Sequence, residues 1–234
     1  MNSNQFPNPD FDIASSREQL SARRRVVLKD VMNAEVASNL YDELTHSLEW
    51  ELSLTTSTGP AAIDAKTLAE ASEQEKNQLQ EQILRQATTR FSYCYGRYEL
   101  IPGKPEHLLT ARNYLASEAF IEFMRDLTGD QEIVRADAHA TIYSAGYFLK
   151  KHDDIYADKN RRFAYVFGFT RDWQADWGGM LCFLDKNGEV EDVFVPSFNT
   201  LTVFNVPQDH FVSLVSPFAN SERLAITGWL FAED

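Results

Sequence analysis

The first half of the chain alternates between helical and extended periodicity, and the second half carries extended periodicity alone. Residues 1–17 are polar and rich in Pro, Asn and Ser, and read as a flexible arm. RRRVVLKDV follows as a short strand. Asn33 then stands where a helix cap is expected, ahead of a stripe formed by Val36, Leu40, Leu44 and Leu48 at helical spacing. Residues 50–54 read as a strand ended by the break TTSTGPAA. Residues 63–88, rich in Ala, Glu, Gln and Leu but poor in apolar anchors, read as one long surface helix. FSYCYGRYEL alternates aromatic with smaller or polar residues, as a strand does. Ser117 caps and Gly129 closes a second amphipathic helix, EAFIEFMRDL.

From about residue 131 the pattern changes to eight β-branched and aromatic runs separated by turn signals: EIVRADAHATIYS, YFLKKHDD, RRFAYVFGFT, GGMLCFLD, DVFVP, TLTVFNV, HFVSLVSP and RLAITGWLF. Hairpin-like spacing without intervening helices predicts a β-sandwich or double-sheet jelly roll, with the earlier helices on one face. The expected class is therefore α+β. One domain is expected over residues 18–234, with helical support over about 18–130 and a β-rich core over about 131–234.

Charge and composition narrow the function. Lys plus Arg number 22 against 35 Asp plus Glu, a net charge of −13. Such a surface does not suit nucleic acid or an anionic membrane, both of which need clustered basic residues. It suits a small, neutral or basic substrate, including a segment of a basic protein. No apolar run approaches the roughly 20 residues of a membrane span, and MNSNQFPNPDFD is not an export signal. Cys94 and Cys182 are the only cysteines, which excludes a disulfide scaffold or thiolate zinc site and fits a reducing cytoplasm.

The chemistry concentrates in the second half. In an extended chain His152 and Asp154 point to one side while Asp153 faces away, so both can reach one metal ion. His210, in NVPQDHFVSLV, is the best third ligand. Two imidazoles and a carboxylate on one face of a metal are the facial triad of non-haem Fe(II) oxygenases. Arg223 lies on the last strand, where alternation places it with Ala225, Thr227 and Trp229. A guanidinium turned into an apolar barrel needs an anion, and a dicarboxylate held bidentately while chelating the metal would serve.

In these elements the sequence resembles the Fe(II)- and 2-oxoglutarate-dependent oxygenases of the prolyl 4-hydroxylase-like branch. Tyr143-x-x-Gly146-x-x-Leu149-x-x-His152-x-Asp154 is similar to the family's Tyr-x-x-Gly-x-x-Tyr-x-x-His-x-Asp run. Asp172-Trp173, Trp177-Gly178-Gly179-x-Leu181, His210 and Arg223-x-Ala225-Ile226-Thr227-x-Trp229-x-Phe231 follow in the family's order. The resemblance implies a double-stranded β-helix of about eight strands, with His152, Asp154 and His210 binding Fe(II). It further implies that Arg223 pairs with the distal carboxylate of 2-oxoglutarate, that Tyr143 donates its hydroxyl to that cosubstrate, and that Thr227 and Trp229 line its pocket. The implied reaction consumes O2 and 2-oxoglutarate, with ascorbate a possible stimulant, releases succinate and CO2, and hydroxylates a C–H bond. Leu149 replaces a family tyrosine, so that one contact is either missing or supplied by Tyr147 or Tyr165. A prolyl residue in a protein or peptide is the first substrate reading, and free proline or another small amino-acid derivative the second. A silent binding or sensor protein and a metal-dependent hydrolase are the rival classes. His46 and His107 are expected in solvent and both cysteines as packed side chains; His139 shares strand parity with Thr141 and Tyr143 and so could face the pocket, with a core histidine the favoured reading. The tyrosines of FSYCYGRYEL could line a peptide groove, and Arg161 and Arg162 are either surface charges or part of a lid. The substrate contacts themselves carry no motif.

Overall fold

The computed structural model describes residues 11–100, 108–155 and 160–233. In chain order the elements are α1 (Ile13–Arg23), β1 (Arg25–Lys29), α2 (Ala34–His46), β2 (Glu51–Thr56), β3 (Gly59–Ile63), α3 (Ala65–Glu70), α4 (Glu73–Ala87), β4 (Tyr93–Glu99), α5 (Leu109–Leu115) and α6 (Glu118–Thr128). Nine strands follow: β5 (Ile133–Ala136), β6 (His139–Tyr143), β7 (Phe148–His152), β8 (Arg161–Phe169), β9 (Leu181–Leu184), β10 (Val190–Phe194), β11 (Phe198–Asn205), β12 (His210–Val212) and β13 (Arg223–Ala232).

The strands join antiparallel into one curled sheet in the order β1-β11-β8-β13-β6-β4-β7-β12-β9-β10, with the β2–β3 hairpin on β4 and β5 on β13. This is the expected jelly roll. All eight extended runs form strands, and the first divides into β5 and β6. On β8, Phe163, Tyr165, Phe167 and Phe169 face the helices, whereas the alternate Ala164 and Val166 line a cavity on the other face. Leu40 and Leu44 of α2 and Phe120, Met124 and Leu127 of α6 bury against that first face. The helices thus stiffen one side of the sheet and leave the other hollow.

Three local readings are corrected. Residues 13–17, read as part of a flexible arm, belong to α1, capped by the Asp12 carboxylate accepting from Ser15 N–H and anchored by buried Leu20, and residues 1–10 of that reading lie outside the described residues. TTSTGPAA is a hairpin rather than a break, because β2 runs to Thr56 and turns back at once into β3. The segment over residues 63–88 is two helices, since Ser72 and Glu75 make a reciprocal capping box that starts α4 anew. Ile83 anchors α4, buried against Leu52, Leu54, Cys94 and Phe148. Asn33, Ser117 and Gly129 cap as expected.

Candidate active site

His152 ends β7 and His210 begins β12, and the pairing of these strands sets the two residues directly opposite each other. Their ring centroids are 4.1 Å apart. Asp154 follows β7 with φ at +64°, a left-handed turn that swings its carboxylate back between the rings. One of its oxygens is 3.5 Å from His152 Nε2 and the other 3.5 Å from His210 Nε2. The three ligating atoms fall within 4.8 Å of one another. His152 Nδ1 lies 2.9 Å from the Lys150 carbonyl and His210 Nδ1 2.8 Å from the Gln208 carbonyl, so each Nδ1 donates to its own backbone and each Nε2 is turned towards the Asp154 carboxylate. Burial and the neighbouring His152 pull His210 down to about 4. Burial raises the Asp154 carboxyl, but the two histidines outweigh it and leave it below its ordinary value. A neutral His210 imidazole beside an ionised Asp154 carboxylate is the protonation state a divalent metal requires. Asp153 points elsewhere and accepts from Ile155 N–H.

These ligands line a cavity of about 480 Å³ that Arg223 also enters. Arg223 and Tyr143 are cross-strand partners on β13 and β6, with the guanidinium carbon 4.9 Å from the centre of the tyrosine ring. Arg223 is buried, and burial disfavours its charge. Its Nη1 has no hydrogen-bond partner, and no carboxylate among the described residues lies within salt-bridge distance. Burial also raises the Tyr143 hydroxyl, against the opposing pull of Arg223, so it remains a proton donor at neutral pH. A buried cation and a buried donor facing a metal-ligand set fit a small dicarboxylate bound between them. Thr227 and Trp229 also line the cavity, although Thr227 spends its hydroxyl donating to the Tyr165 carbonyl at 2.8 Å.

The pocket side of β4 presents Tyr93 and Tyr95, the FSYCYGRYEL tyrosines read as able to line a groove, together with Arg97 and, just before them, Phe91, neither of which was foreseen. Tyr95 stacks on Tyr143 at 5.3 Å and 22°. Tyr93 pairs in register with Leu149, so β4 fills the space beside the leucine. Neither expected substitute reaches it: Tyr165 is buried towards α6 and donates to the Asp137 carbonyl, and Tyr147 packs beneath α4. His139 is buried and, as its parity with Tyr143 allowed, faces the cavity, where burial and the nearby Arg97 hold it down to about 3. Arg161 is neither a surface charge nor part of a lid: a bulge between β8 and β13 turns it inward, 3.7 Å over the Trp229 ring. Arg162 turns outward to Asp130 and Glu132. Cys94 and Cys182 are buried free thiols, His46 is exposed, and His107 lies outside the described residues.

Residues 138–231 match the model of the 2OG-Fe(II) oxygenase superfamily. The matched stretch contains the candidate metal ligands His152, Asp154 and His210, with Arg223, Tyr143, Thr227 and Trp229. This stretch is a 2OG-Fe(II) oxygenase domain. Similar folds extend over almost the whole chain. A prolyl-4-hydroxylase from Pseudomonas putida is 19% identical, with a TM-score of 0.62, covering 94% of this chain and 99% of its own. A prolyl hydroxylase from Trichoplax adhaerens, in complex with a hypoxia-inducible-factor peptide fragment, is 12% identical with a TM-score of 0.64, covering 94% of this chain and 89% of its own. The α-ketoglutarate-dependent epimerase SnoN of nogalamycin biosynthesis is 14% identical with a TM-score of 0.57, covering 94% of this chain and 84% of its own. No curated protein matches. The helical half of the chain thus shares its fold with these prolyl hydroxylases, and a fold that also serves an epimerase does not fix the substrate. Among the described residues no helix is long and apolar enough to cross a membrane.

Proposed function

We propose that the protein is an Fe(II)- and 2-oxoglutarate-dependent dioxygenase that hydroxylates a prolyl residue in a protein or peptide, releasing succinate and CO2. The observation that carries this reading is the buried Arg223, with an unpartnered Nη1, in the same cavity as His152, Asp154 and His210. A hydrolase would have no use for that cation, whereas a cosubstrate carboxylate satisfies it. His152, Asp154 and His210 would hold the metal, which when bound supplies the redox and O2 chemistry that side chains lack. Arg223 anchors the far carboxylate of 2-oxoglutarate, and Tyr143 donates a hydrogen bond to it. Phe183, Phe204 and Val212, packed around His210, keep bulk water from the ligands. The two buried thiols suit a reducing cytoplasm.

A cavity of this size also admits a free amino acid, so free L-proline is the second reading. Purified protein is incubated with Fe(II), 2-oxoglutarate, ascorbate and either proline-containing peptides or L-proline. Succinate release with a gain of one oxygen on the substrate is expected. Absence of 2-oxoglutarate consumption under all conditions would leave a silent binding or sensor protein of this fold.

A further inference from the structure

Arg223 accounts for one cation of the cavity, and two more line it. Arg97 comes from β4, where it pairs in register with Thr141 of β6. Arg161, turned in by the bulge of β8, covers the face of Trp229 and donates from Nη1 to the Asp154 carbonyl at 3.1 Å. Both guanidinium groups oppose protonation of His139, whose ring lies 5.8 Å from that of Trp229, so they act on the same part of the cavity.

Glu99 takes Arg97 Nη2 at 2.7 Å but leaves Nε buried without a partner. Trp229 Nε1 is also buried outside hydrogen-bond geometry, though near enough to Asp154 to favour its ionised form. Leaving such a group unsatisfied costs about 1–3 kcal/mol. Both orphaned groups are donors, and their missing partner is therefore an acceptor. The acids lining the cavity are already engaged: Asp154 lies between the two histidines, and Asp137 Oδ1 accepts the Trp229 backbone N–H at 2.9 Å. The sign of charge here is the reverse of the −13 carried by the whole chain.

We propose that Arg97, Arg161 and the Trp229 indole N–H form a carboxylate subsite, so that the substrate bears a carboxylate close to the C–H bond that reacts. The inference rests on the oxygenase reading and narrows its substrate. A forked guanidinium meets two carboxylate oxygens at once, whereas an amide carbonyl offers one oxygen and no charge. The carboxylate is either the free C-terminus of the hydroxylated residue, as in L-proline, or an acidic side chain next to it.

The holoenzyme with 2-oxoglutarate is presented with L-proline and L-prolinamide, with one tripeptide ending in proline as the free acid and as the amide, and with Pro-Glu and Pro-Gln pairs inside a longer peptide. Hydroxylation is followed by mass and 2-oxoglutarate consumption separately. Within at least one pair the acid is favoured at least tenfold in kcat/KM, and the pair that discriminates identifies the source of the carboxylate. Arg97→Gln brings that ratio close to one by raising KM for the acid, and Arg97→Lys retains part of the preference. Equal use of acid and amide, preference for the amides, persistence of the ratio in Arg97→Gln, or consumption of 2-oxoglutarate with no compound hydroxylated would each overturn the subsite. If 2-oxoglutarate is never consumed, the oxygenase reading itself fails, and this inference with it.

Discussion

His152 and His210 face each other across the β7–β12 pair, and each ring is fixed by the same device, an Nδ1 bond to the carbonyl two residues earlier in its own strand. Strand register sets the distance between the rings, and these two bonds set which nitrogen of each is free. The candidate metal site is therefore preorganised by strand register and backbone hydrogen bonds. His152→Ala or His210→Ala removes one ligand and leaves the sheet intact. Wild-type protein should bind one Fe(II) or Co(II), measured by elemental analysis and by the Co(II) absorption spectrum, and either variant should lose both signals. Metal at 100 times its Kd should stabilise the folded state by about 2.7 kcal/mol, a Tm rise on the order of 5–10 °C for a chain of this length. Chelation should reverse it.

Arg223 gives a prediction with two readouts of opposite sign. Arg223→Ala should raise KM for 2-oxoglutarate on the order of a hundredfold, since a charge-assisted pair contributes about 3 kcal/mol. Arg223→Lys should fall between. In the absence of cosubstrate, Arg223→Met should leave stability unchanged or raise it, because a buried guanidinium without a protein carboxylate is only a desolvation cost. Loss of 3 kcal/mol or more in urea unfolding of Arg223→Met would instead reveal a structural ion pair.

The parts of the site that could be read from the chain are those obeying one strand's own period. His152 with Asp154, and Arg223 with Thr227 and Trp229, are pairs within single strands or their immediate ends. The same period tells against Tyr165 in the pocket, because it shares parity with Phe163 and Phe167, which face the helices. Arg161 was hidden by a bulge that breaks this parity. Arg97 was hidden by topology, and so was the place of the β4 tyrosines beside the metal-ligand set: β4 inserts between β6 and β7, strands far from it in sequence. The restart of the helix at Ser72 was legible, since Ser-x-x-Glu marks an N-terminus. Helix α5 offered no such mark, because Leu108 in a left-handed conformation precedes it and makes no side-chain cap.

The close approach of β4 to β6 depends on Gly96, where an added Cβ would collide with Cγ2 of Ile142. That methyl belongs to a stiff β-branched side chain within the core and yields little. Gly96→Ala should cost about 1–3 kcal/mol in urea unfolding. Shortening the neighbour should relieve the overlap, so Gly96→Ala with Ile142→Ala should be less destabilised than the sum of the single variants. Additive losses would mean that the strands separate instead.

The last prediction concerns acid stability of the metal-free protein. His139 is held down to about 3 by burial first and by Arg97 second, from an ordinary value of 6.5. Between those two values the unfolded chain binds a proton at this position and the folded chain does not. Stability is therefore fully present above about pH 6.5 and is lost as pH falls, with a slope of about 1.4 kcal/mol per pH unit from this one group. At pH 5 the loss is on the order of 2 kcal/mol. His210 is held down to about 4 and contributes in the same direction, so the wild-type slope is steeper than one histidine accounts for. His139→Gln cannot titrate and should lower the slope of unfolding free energy against pH between 6.5 and 5 by about one proton's worth. Urea titrations of both proteins at half-unit intervals check this, and parallel slopes would show that His139 is protonated in the folded protein.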